Sequence, residues 1–410
     1  MSSPIVGLDI GSQTIRVAIG VPQSRGRLLL TKLSRFPSEG LRKGMVDDVS
    51  ALTRVLSAAF SDLKQESKDV TKNLFVSVGS PNVRVQASRG IVAVSRADLE
   101  IYKEDVARAI EASEAVKLAA NRLVLHTLTD EFAVDDIADI KDPLGMVGNR
   151  LEAKSLIIDA FGPAIKNLIR AVEVAGGSVA GLIFNPLSSA RAVLSKNQRD
   201  LGVCLVDVGF STTTFAVYQE GKLLHTGSFP FGSGHVTNDL AIGLKTSIDA
   251  AERVKFAFGA ALAKDVPIRE NVELVKFDSS ARGGASRRFI AEIVEVRLAE
   301  IFEFIHSDLR NIGRGGRLPG GIVLTGAGAK LPGIVDLAKQ EFRLPARVGV
   351  PELASFHIEN SELATTLDDP EYACALGLLL WGADKQCADA RPAMFDVTGW
   401  AKRLMNYFMP

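Results

Sequence analysis

Length, composition and charge exclude several classes of protein. The 410 residues, 47% apolar and 23% charged, are enough to build two or more lobes around a buried core. Since the formal net charge is zero, no global field attracts nucleic acid, and we expect no nucleic-acid partner. No apolar run reaches about 18 residues and no secretory pattern opens the chain, so we expect a cytoplasmic protein without a membrane-spanning helix.

The first predicted elements form a hairpin. Two β-rich runs between Val6 and Ile19 flank a short turn that follows Asp9 and contains Gly11. A glycine lets the backbone approach a phosphate, and the amides and hydroxyls of the turn can donate hydrogen bonds to it. The aspartate can hold a hydrated divalent cation, because Mg²⁺ keeps several waters and takes few carboxylates. The alternative is an ordinary hairpin whose aspartate caps a turn.

The elements that follow alternate between helix and strand. The pattern predicts the helix Ser50–Leu63, the strand Leu74–Val78, the helix Pro163–Ala175, the strand Ala180–Phe184 and the helix Leu187–Leu194. Between residues 82 and 162 the pattern of predicted elements changes. It indicates a strand pair over Val83–Val94, a charged helix over Lys103–Asn121 and a strand over Leu151–Phe161. The chain is therefore predicted to have an α/β fold with a small α+β insertion.

A second hairpin repeats the first one 198 residues later (207 − 9). Residues 204–217 again run from an apolar strand into an aspartate, Asp207, and through a turn that contains Gly209 and Thr212. Two such hairpins that face each other can clamp the phosphates of a nucleotide. The repetition favours this interpretation over two unrelated turns.

A glycine-rich turn and a charged helix are weaker signals. The strand Ile322–Leu324 runs into Gly326-Ala327-Gly328, whose small residues leave room for a base or ribose. A helix begins near Ile334, and a helix N-terminus favours phosphate. The turn lacks the third glycine of the dinucleotide fingerprint. Glu252 and Lys255 are i,i+3 neighbours on a helix that ends at Gly259, a spacing that is also typical of a surface ion pair.

The order of hairpin, insertion, hairpin and glycine-rich turn resembles that of the actin-fold ATPases. Within them, the chain resembles the FtsA family of bacterial cell-division proteins over nearly its whole length. The most similar stretches are Phe229–Leu240, Ala251–Lys255 with Gly259, and Ile322–Gly326 through Gly333. The resemblance implies an actin-like two-lobed ATPase fold of the α/β class, with a small α+β insertion subdomain and a C-terminal amphipathic helix.

The resemblance also implies a division into domains. The first lobe comprises residues 1–81, 163–196 and 352–384, and the second comprises 197–230 and 310–351. Residues 82–162 form the inserted subdomain, 231–309 cover the nucleotide, 385–396 are a linker, and 397–410 are a membrane-targeting helix.

The same resemblance implies that ATP and Mg²⁺ bind in the cleft. Asp9 and Asp207 face the metal through water. The residues implied to contact the nucleotide are Asp9, Gly11, Ser12, Gln13, Asp207, Gly209, Thr212, Gly232, Glu252, Lys255, Gly326, Ala327 and Gly328.

Two departures from the pattern of the actin-fold ATPases bear on catalysis. Phe210 and Ser211 bring side chains to a turn where many relatives have glycines. Asn185, before Pro186, replaces the Glu or Gln that often orients the attacking water, and it cannot act as a base. We therefore expect ATP binding with slow or absent hydrolysis, and name no catalytic residue.

The implied role is a division protein that forms actin-like filaments at the cytoplasmic face of the inner membrane. It would tether FtsZ there and bind other division proteins, with Arg297 on a helix over Phe289–Asn311 receiving the acidic C-terminal tail of FtsZ. Two alternatives remain. One is a pilus-assembly adaptor, which needs no membrane-binding helix; the other is an actin-fold small-molecule kinase, which needs a further catalytic aspartate.

The last residues of the sequence have an amphipathic pattern. At about 100° per residue, Val397, Trp400, Leu404 and Phe408 fall on one face, and Lys402 and Arg403 on the other. Such a helix can dock on its own protein. Its position after a linker and its paired basic residues favour an anionic membrane surface.

Overall fold

The computed structural model describes residues 3–23, 27–65, 67, 69–279, 281, 283–359 and 361–390. The predicted membrane-binding residues Val397, Trp400, Lys402, Arg403, Leu404 and Phe408 lie outside this range. The chain separates into two compact units, residues 82–166 and the remainder. Among the helices in the described ranges, none is both long enough and apolar enough to cross a membrane.

The secondary structure is mixed. The strands in chain order are β1 (Ile5–Ile10), β2 (Thr14–Pro22), β3 (Leu28–Pro37), β4 (Leu41–Arg42), β5 (Met45–Val46), β6 (Leu74–Val78), β7 (Arg84–Ala93), β8 (Arg122–Val134), β9 (Ile137–Ile140), β10 (Arg150–Phe161), β11 (Val179–Phe184), β12 (Val203–Val208), β13 (Thr213–Gln219), β14 (Lys222–Phe229), β15 (Asn271–Glu273), β16 (Gly284–Ser286), β17 (Ile322–Thr325), β18 (Ala346–Val348) and β19 (Phe356–Ile358). The α-helices are α1 (Val49–Leu63), α2 (Lys103–Glu114), α3 (Gly162–Val174), α4 (Asn185–Val193), α5 (Lys196–Leu201), α6 (Ser233–Leu244), α7 (Ile248–Phe258), α8 (Arg287–Asn311), α9 (Ile334–Phe342), α10 (Ser361–Leu367) and α11 (Ala373–Ala390).

Two sheets of the larger unit have the same internal order. Within the described ranges, one runs β11-β6-β1-β2-β3-β19 and the other runs β14-β13-β12-β17-β18. In each sheet, three consecutive strands form an antiparallel meander (β1-β2-β3 or β12-β13-β14). The sheet continues beyond the first strand of the meander with two parallel strands, β6 and β11 in one sheet and β17 and β18 in the other. Both predicted hairpins are confirmed, and the repeat seen in the sequence extends to a five-stranded sheet.

The strands that carry the two aspartates are buried on both faces. β1 is fully buried, and β12 is buried at every position but Asp207. Such continuous apolar runs are typical of strands covered by helices on both faces. α11 packs along β1 so closely that a Cβ on Gly7 would lie 2.2 Å from the Ala375 carbonyl oxygen. Glycine at this position therefore allows the close contact of helix and strand.

α11 runs antiparallel to β1 and extends further than the sequence suggests. Its early residue Ala375 lies beside Gly7, whereas its later residue Gly382 contacts Ile5. The helix therefore leads away from the end of β1 that carries Asp9. It continues to Ala390, so the first part of the predicted linker over 385–396 is helical.

The smaller unit contains a four-stranded antiparallel sheet in the order β7-β10-β8-β9, with α2 against it. This confirms the predicted α+β insertion, with two corrections. Val83–Val94 was predicted as a strand pair but contains one strand, β7, because Arg84–Ala93 pair without interruption with β10. Gly90 lets α2 pack closely on this strand, since a Cβ there would lie 2.0 Å from the Ala109 carbonyl oxygen. The predicted helix Lys103–Asn121 ends at Glu114.

Candidate nucleotide-binding site

The two hairpin turns have the same backbone geometry and face each other. The Gly11 amide donates to the Thr14 carbonyl at 3.1 Å, and the Gly209 amide donates to the Thr212 carbonyl at 3.0 Å. The side-chain oxygens of Ser12 and Ser211, one from each turn, are 2.5 Å apart. The two copies of the repeated segment thus meet at their turns.

An open cavity lies between these turns, with about 700 Å³ of space that includes open solvent. The predicted nucleotide-binding residues that line it are Asp9, Gly11, Ser12, Gln13, Asp207, Gly209, Thr212, Gly326 and Ala327. Gly232, Glu252, Lys255 and Gly328 lie outside its lining.

The two aspartates are held in an environment that disfavours their charge. Burial raises the pKa of both, that of Asp207 to about 6, and the two carboxylates repel each other. The Ser189 hydroxyl donates to Asp207 Oδ2 at 2.7 Å, and Arg16 Nη1 lies 3.9 Å from Asp9 Oδ2. A divalent cation would favour both ionised forms, so the pair fits a metal held through water.

The raised pKa of Asp207 predicts that the nucleotide-free protein loses stability as the pH rises. Folding raises this pKa from 3.8 to about 6, so in that range the folded state keeps a proton that the unfolded state has released. The free energy of unfolding therefore falls across that range and levels off above it. We expect Asp207→Asn to reduce this fall and to be more stable than wild type by about 1–2 kcal/mol at neutral pH, measured by urea unfolding. Identical pH dependence in the two proteins would contradict this prediction.

Arg16 is a cavity residue that the sequence analysis missed. Its guanidinium donates to Glu371 Oε2 from Nη2 at 2.8 Å and from Nε at 3.2 Å. Glu371 also accepts from Lys330 Nζ at 3.2 Å, and Lys330 reaches Asp369 at 2.7 Å. These side-chain ion pairs connect the first hairpin to the glycine-rich turn. Arg16 could have been found from its position opposite Asp9 in the hairpin register, but the distant Glu371 gives no sequence signal.

The glycine-rich turn is shaped around Asp207. Gly326 has a φ of +81°, and a Cβ on it would lie 2.3 Å from Asp207 Oδ1. A side chain at this position would displace the carboxylate, so glycine is required on two grounds. A Cβ on Gly328 would lie 2.4 Å from Val208 Cγ1, so this glycine serves packing against β12 and not the cavity surface.

Glu252 and Lys255 form a buried contact beside the cavity and not a surface ion pair. Lys255 is only 5% exposed, and its Nζ donates to Glu252 Oε2 at 2.7 Å and to Thr237 Oγ1 at 2.9 Å. Burial lowers the pKa of Lys255. Gln13 Nε2, from the first turn, donates to Glu252 Oε1 at 3.4 Å. The pair therefore joins α6 and α7 to the first turn.

The contacts around Phe210, Gly232 and Asn185 show where these three residues lie in the site. A Cβ on Gly234 would lie 2.9 Å from Phe210 Cζ, so the Phe210 ring lies against the first turn of α6. A Cβ on Gly232 would lie 2.5 Å from the Gly209 carbonyl oxygen, which places Gly232 directly behind the second hairpin turn. Asn185 lines the cavity, and its Oδ1 is buried with no hydrogen-bond partner among the described residues. Such an oxygen requires a donor, which fits a water or ligand in the cavity.

Sequence comparison assigns this arrangement to a family. Residues 204–377 match the model for Cell division protein FtsA, and residues 81–159 match the SHS2 domain inserted in FtsA. Cell division protein FtsA of Pseudomonas aeruginosa is 35% identical over 382 residues, which cover 93% of this chain and 90% of that protein. The chain belongs to the FtsA family. The predicted family is confirmed, and with it the role of an actin-like cell-division protein.

Solved structures support the fold of this FtsA-family chain. The PilM–PilN type IV pilus biogenesis complex has a TM-score of 0.65 at 17% identity and covers 92% of this chain and 98% of that one. MreB5 of Spiroplasma citri bound to ADP has a TM-score of 0.56 at 13% identity, with 96% and 99% covered. At these identities the likeness extends to the fold alone, and it confirms the predicted actin-like architecture.

Proposed function

We propose that this FtsA-family chain binds Mg·ATP in the cavity, forms filaments at the inner membrane and tethers FtsZ to it at the division site, where it helps to recruit other division proteins. The observation that carries the proposal is the meeting of two equivalent hairpin turns, each with its aspartate, in one cavity. That arrangement offers amide and hydroxyl donors to phosphates from both sides and two carboxylates to a hydrated metal.

The residues around the cavity have distinct roles in this proposal. Asp9 and Asp207 hold Mg²⁺ through water, and Gly11, Ser12, Gln13, Gly209 and Thr212 hold the phosphates. Arg16 adds a buried positive charge, while Gly326 and Ala327 lie behind the nucleoside. The bound metal would neutralise phosphate charge and keep both aspartates ionised.

Hydrolysis is expected to be slow or absent. Asn185 is the polar side chain at the position that commonly orients water, and an amide cannot take up a proton from it. The other carboxylate in the lining, Glu371, is held by Arg16 and Lys330, which lower its pKa against the effect of burial. The side chains around the cavity are therefore suited to binding the nucleotide more than to turning it over.

Arg297 is the proposed contact for the acidic tail of FtsZ. It lies on α8 with about a quarter of its side chain exposed, and it already holds two carboxylates. Its Nε and Nη2 donate to the two oxygens of Asp239 at 2.5 and 3.0 Å, and Nη1 donates to Glu300 at 2.5 Å. A carboxylate of the tail would therefore bind by exchange with one of these internal partners.

We expect Arg297→Glu to weaken binding of an FtsZ C-terminal peptide by at least about tenfold, because a charge-assisted contact is lost and a repulsive one is gained. Asp239→Asn is expected to strengthen binding, since it removes a competing internal carboxylate. Fluorescence polarisation with a labelled peptide measures both effects, and ATP affinity should stay unchanged. Arg310→Glu, a charge reversal in the last turn of α8, is the matched control. Peptide binding by Arg297→Glu at the level of this control would remove Arg297 from the interface.

The tethering role is tested by reconstitution with FtsZ. FtsZ polymers are expected to sediment with anionic vesicles only when the full chain and ATP are present, because the chain connects the two. Failure of FtsZ to sediment while the chain itself binds the vesicles would contradict tethering and leave membrane attachment intact.

A further inference from the structure

Three segments meet at the amino ends of the parallel strands of the second sheet, on the side away from the cavity. β12, β17 and β18 are parallel, and Asp207 lies near the carboxyl end of β12, so their amino ends share the opposite edge. The segments that lead into these strands are joined by backbone hydrogen bonds. The Gly320 amide donates to the Gly202 carbonyl at 2.7 Å, and the Ile322 amide donates to the Pro345 carbonyl at 2.8 Å.

This edge carries an excess of positive charge. We call the following six residues the basic edge: Lys196, Arg199, Arg314, Arg317, Arg343 and Arg347. Lys196, Arg317, Arg343 and Arg347 are exposed. Nearby acidic residues are Asp200 of α5 and Glu220 of the β13–β14 turn, whose backbone groups are hydrogen-bonded to each other. In the part of the chain that the structure describes, none of the six forms an ion pair.

The charge of the basic edge is therefore not offset by internal partners. Arg314 Nε is in addition buried with no hydrogen-bond partner in the described residues. By contrast, Arg297 is paired with Asp239 and Arg16 with Glu371. An uncompensated group of cations on a protein of zero net charge indicates an anionic partner for this surface.

The helix that precedes residues 391–410, α11, packs beside the element that leads into the basic edge. α11 runs away from the cavity, and near its end Asp384 accepts from Arg191 Nε at 3.0 Å. Arg191 is in the last turn of α4, and α5, with the first residues of the basic edge, follows directly. The later part of α11 thus packs beside the end of α4, which leads through α5 into the basic edge, on the side opposite the cavity.

We propose that the basic edge contacts the same anionic membrane surface that residues 397–410 bind. This inference rests on the proposed membrane attachment and adds a second contact to it. One short amphipathic segment gives weak, reversible binding, and stable attachment takes a second signal such as a basic patch. Basic residues within a Debye length of an anionic leaflet supply that signal. Two contacts also fix the orientation of the protein, with its cavity directed away from the lipid.

A charge-reversal variant of the full-length chain tests this proposal. The variant carries Lys196→Glu, Arg317→Glu and Arg343→Glu. The matched control carries Lys245→Glu, Lys264→Glu and Arg269→Glu, which are exposed, form no ion pair in the described ranges and give the same change in net charge. Partitioning is measured on vesicles of phosphatidylglycerol with phosphatidylcholine and on vesicles of phosphatidylcholine alone. Unchanged ATP affinity and melting temperature show that both variants fold.

The expected result is partitioning onto anionic vesicles that is about tenfold or more weaker for the basic-edge variant than for the control. The difference should shrink as salt is added and vanish on neutral vesicles. If the two variants bind alike while deletion of 397–410 releases the protein, the basic edge has no membrane role and the proposed function stands. If the wild type does not bind anionic vesicles, the membrane part of the proposed function fails and this inference fails with it. Loss of binding to single-stranded RNA, with vesicle binding unchanged, would assign the surface to nucleic acid instead.

Discussion

Asp207→Ala is expected to weaken Mg·ATP binding by about tenfold to a hundredfold. Contacts to charged groups contribute about 1.5–3 kcal/mol, and Asp207 is one of the two carboxylates available to the metal in the cavity. The substitution also leaves the Ser189 hydroxyl without the acceptor that it contacts at 2.7 Å. Isothermal titration calorimetry with Mg·ATP measures the change.

Asp200→Ala is the matched control for this experiment. Asp200 is exposed on α5, which precedes the same strand, and it is not part of the cavity lining, so its loss should leave the affinity unchanged. If Asp207→Ala bound Mg·ATP as tightly as this control, the second hairpin would not contact the metal and the proposed site would be wrong.

Deletion of residues 397–410 is expected to release the protein from anionic vesicles. Burial of Trp400, Leu404 and Phe408 would contribute roughly 1.5–3 kcal/mol each before the cost of ordering the helix. Lys402 and Arg403 would add about 1 kcal/mol each. Because one such helix binds weakly, filament formation should raise attachment through multivalency. Co-sedimentation with vesicles measures the release.

A point substitution separates the apolar face of this segment from its length. Trp400→Glu should nearly abolish co-sedimentation, whereas Asn406→Glu, which places the same charge on the predicted polar face, should cost much less. Equal losses in the two variants would argue against an amphipathic helix. Full co-sedimentation of the deleted protein would place the anchor elsewhere in the chain.

The sequence was most informative where chemistry depends on local backbone shape. The hairpins around Gly11 and Gly209 could be predicted because a tight turn between β-rich runs restricts the residues that it can contain. The matching turns also predicted that Asp9 and Asp207 occupy equivalent positions, and they do so as the penultimate residues of β1 and β12. Local patterns of this kind need no knowledge of the rest of the fold.

What the sequence did not predict depends on contacts between distant residues. Arg16 and Glu371 form their ion pair across 355 positions, and no spacing rule connects them. Residues 115–121 contain good helix formers, yet α2 ends at Glu114, because intrinsic propensity is a weak guide against tertiary packing. Gly90 illustrates the same limit, since its role in β7 is evident only when α2 is in place.

If the nucleotide binds as proposed, the contact between the Ser12 and Ser211 hydroxyls would link its binding to the separation of the two turns. Phosphates between the turns have to replace this contact, so part of their binding free energy is used to move the turns apart. By thermodynamic reciprocity, any assembly that holds the turns apart raises nucleotide affinity, and nucleotide favours that assembly by the same factor. A hydrogen bond of this kind contributes about 1 kcal/mol, which corresponds to a coupling of about fivefold. A coupling of this size biases assembly towards the nucleotide-bound protein without making the nucleotide obligatory.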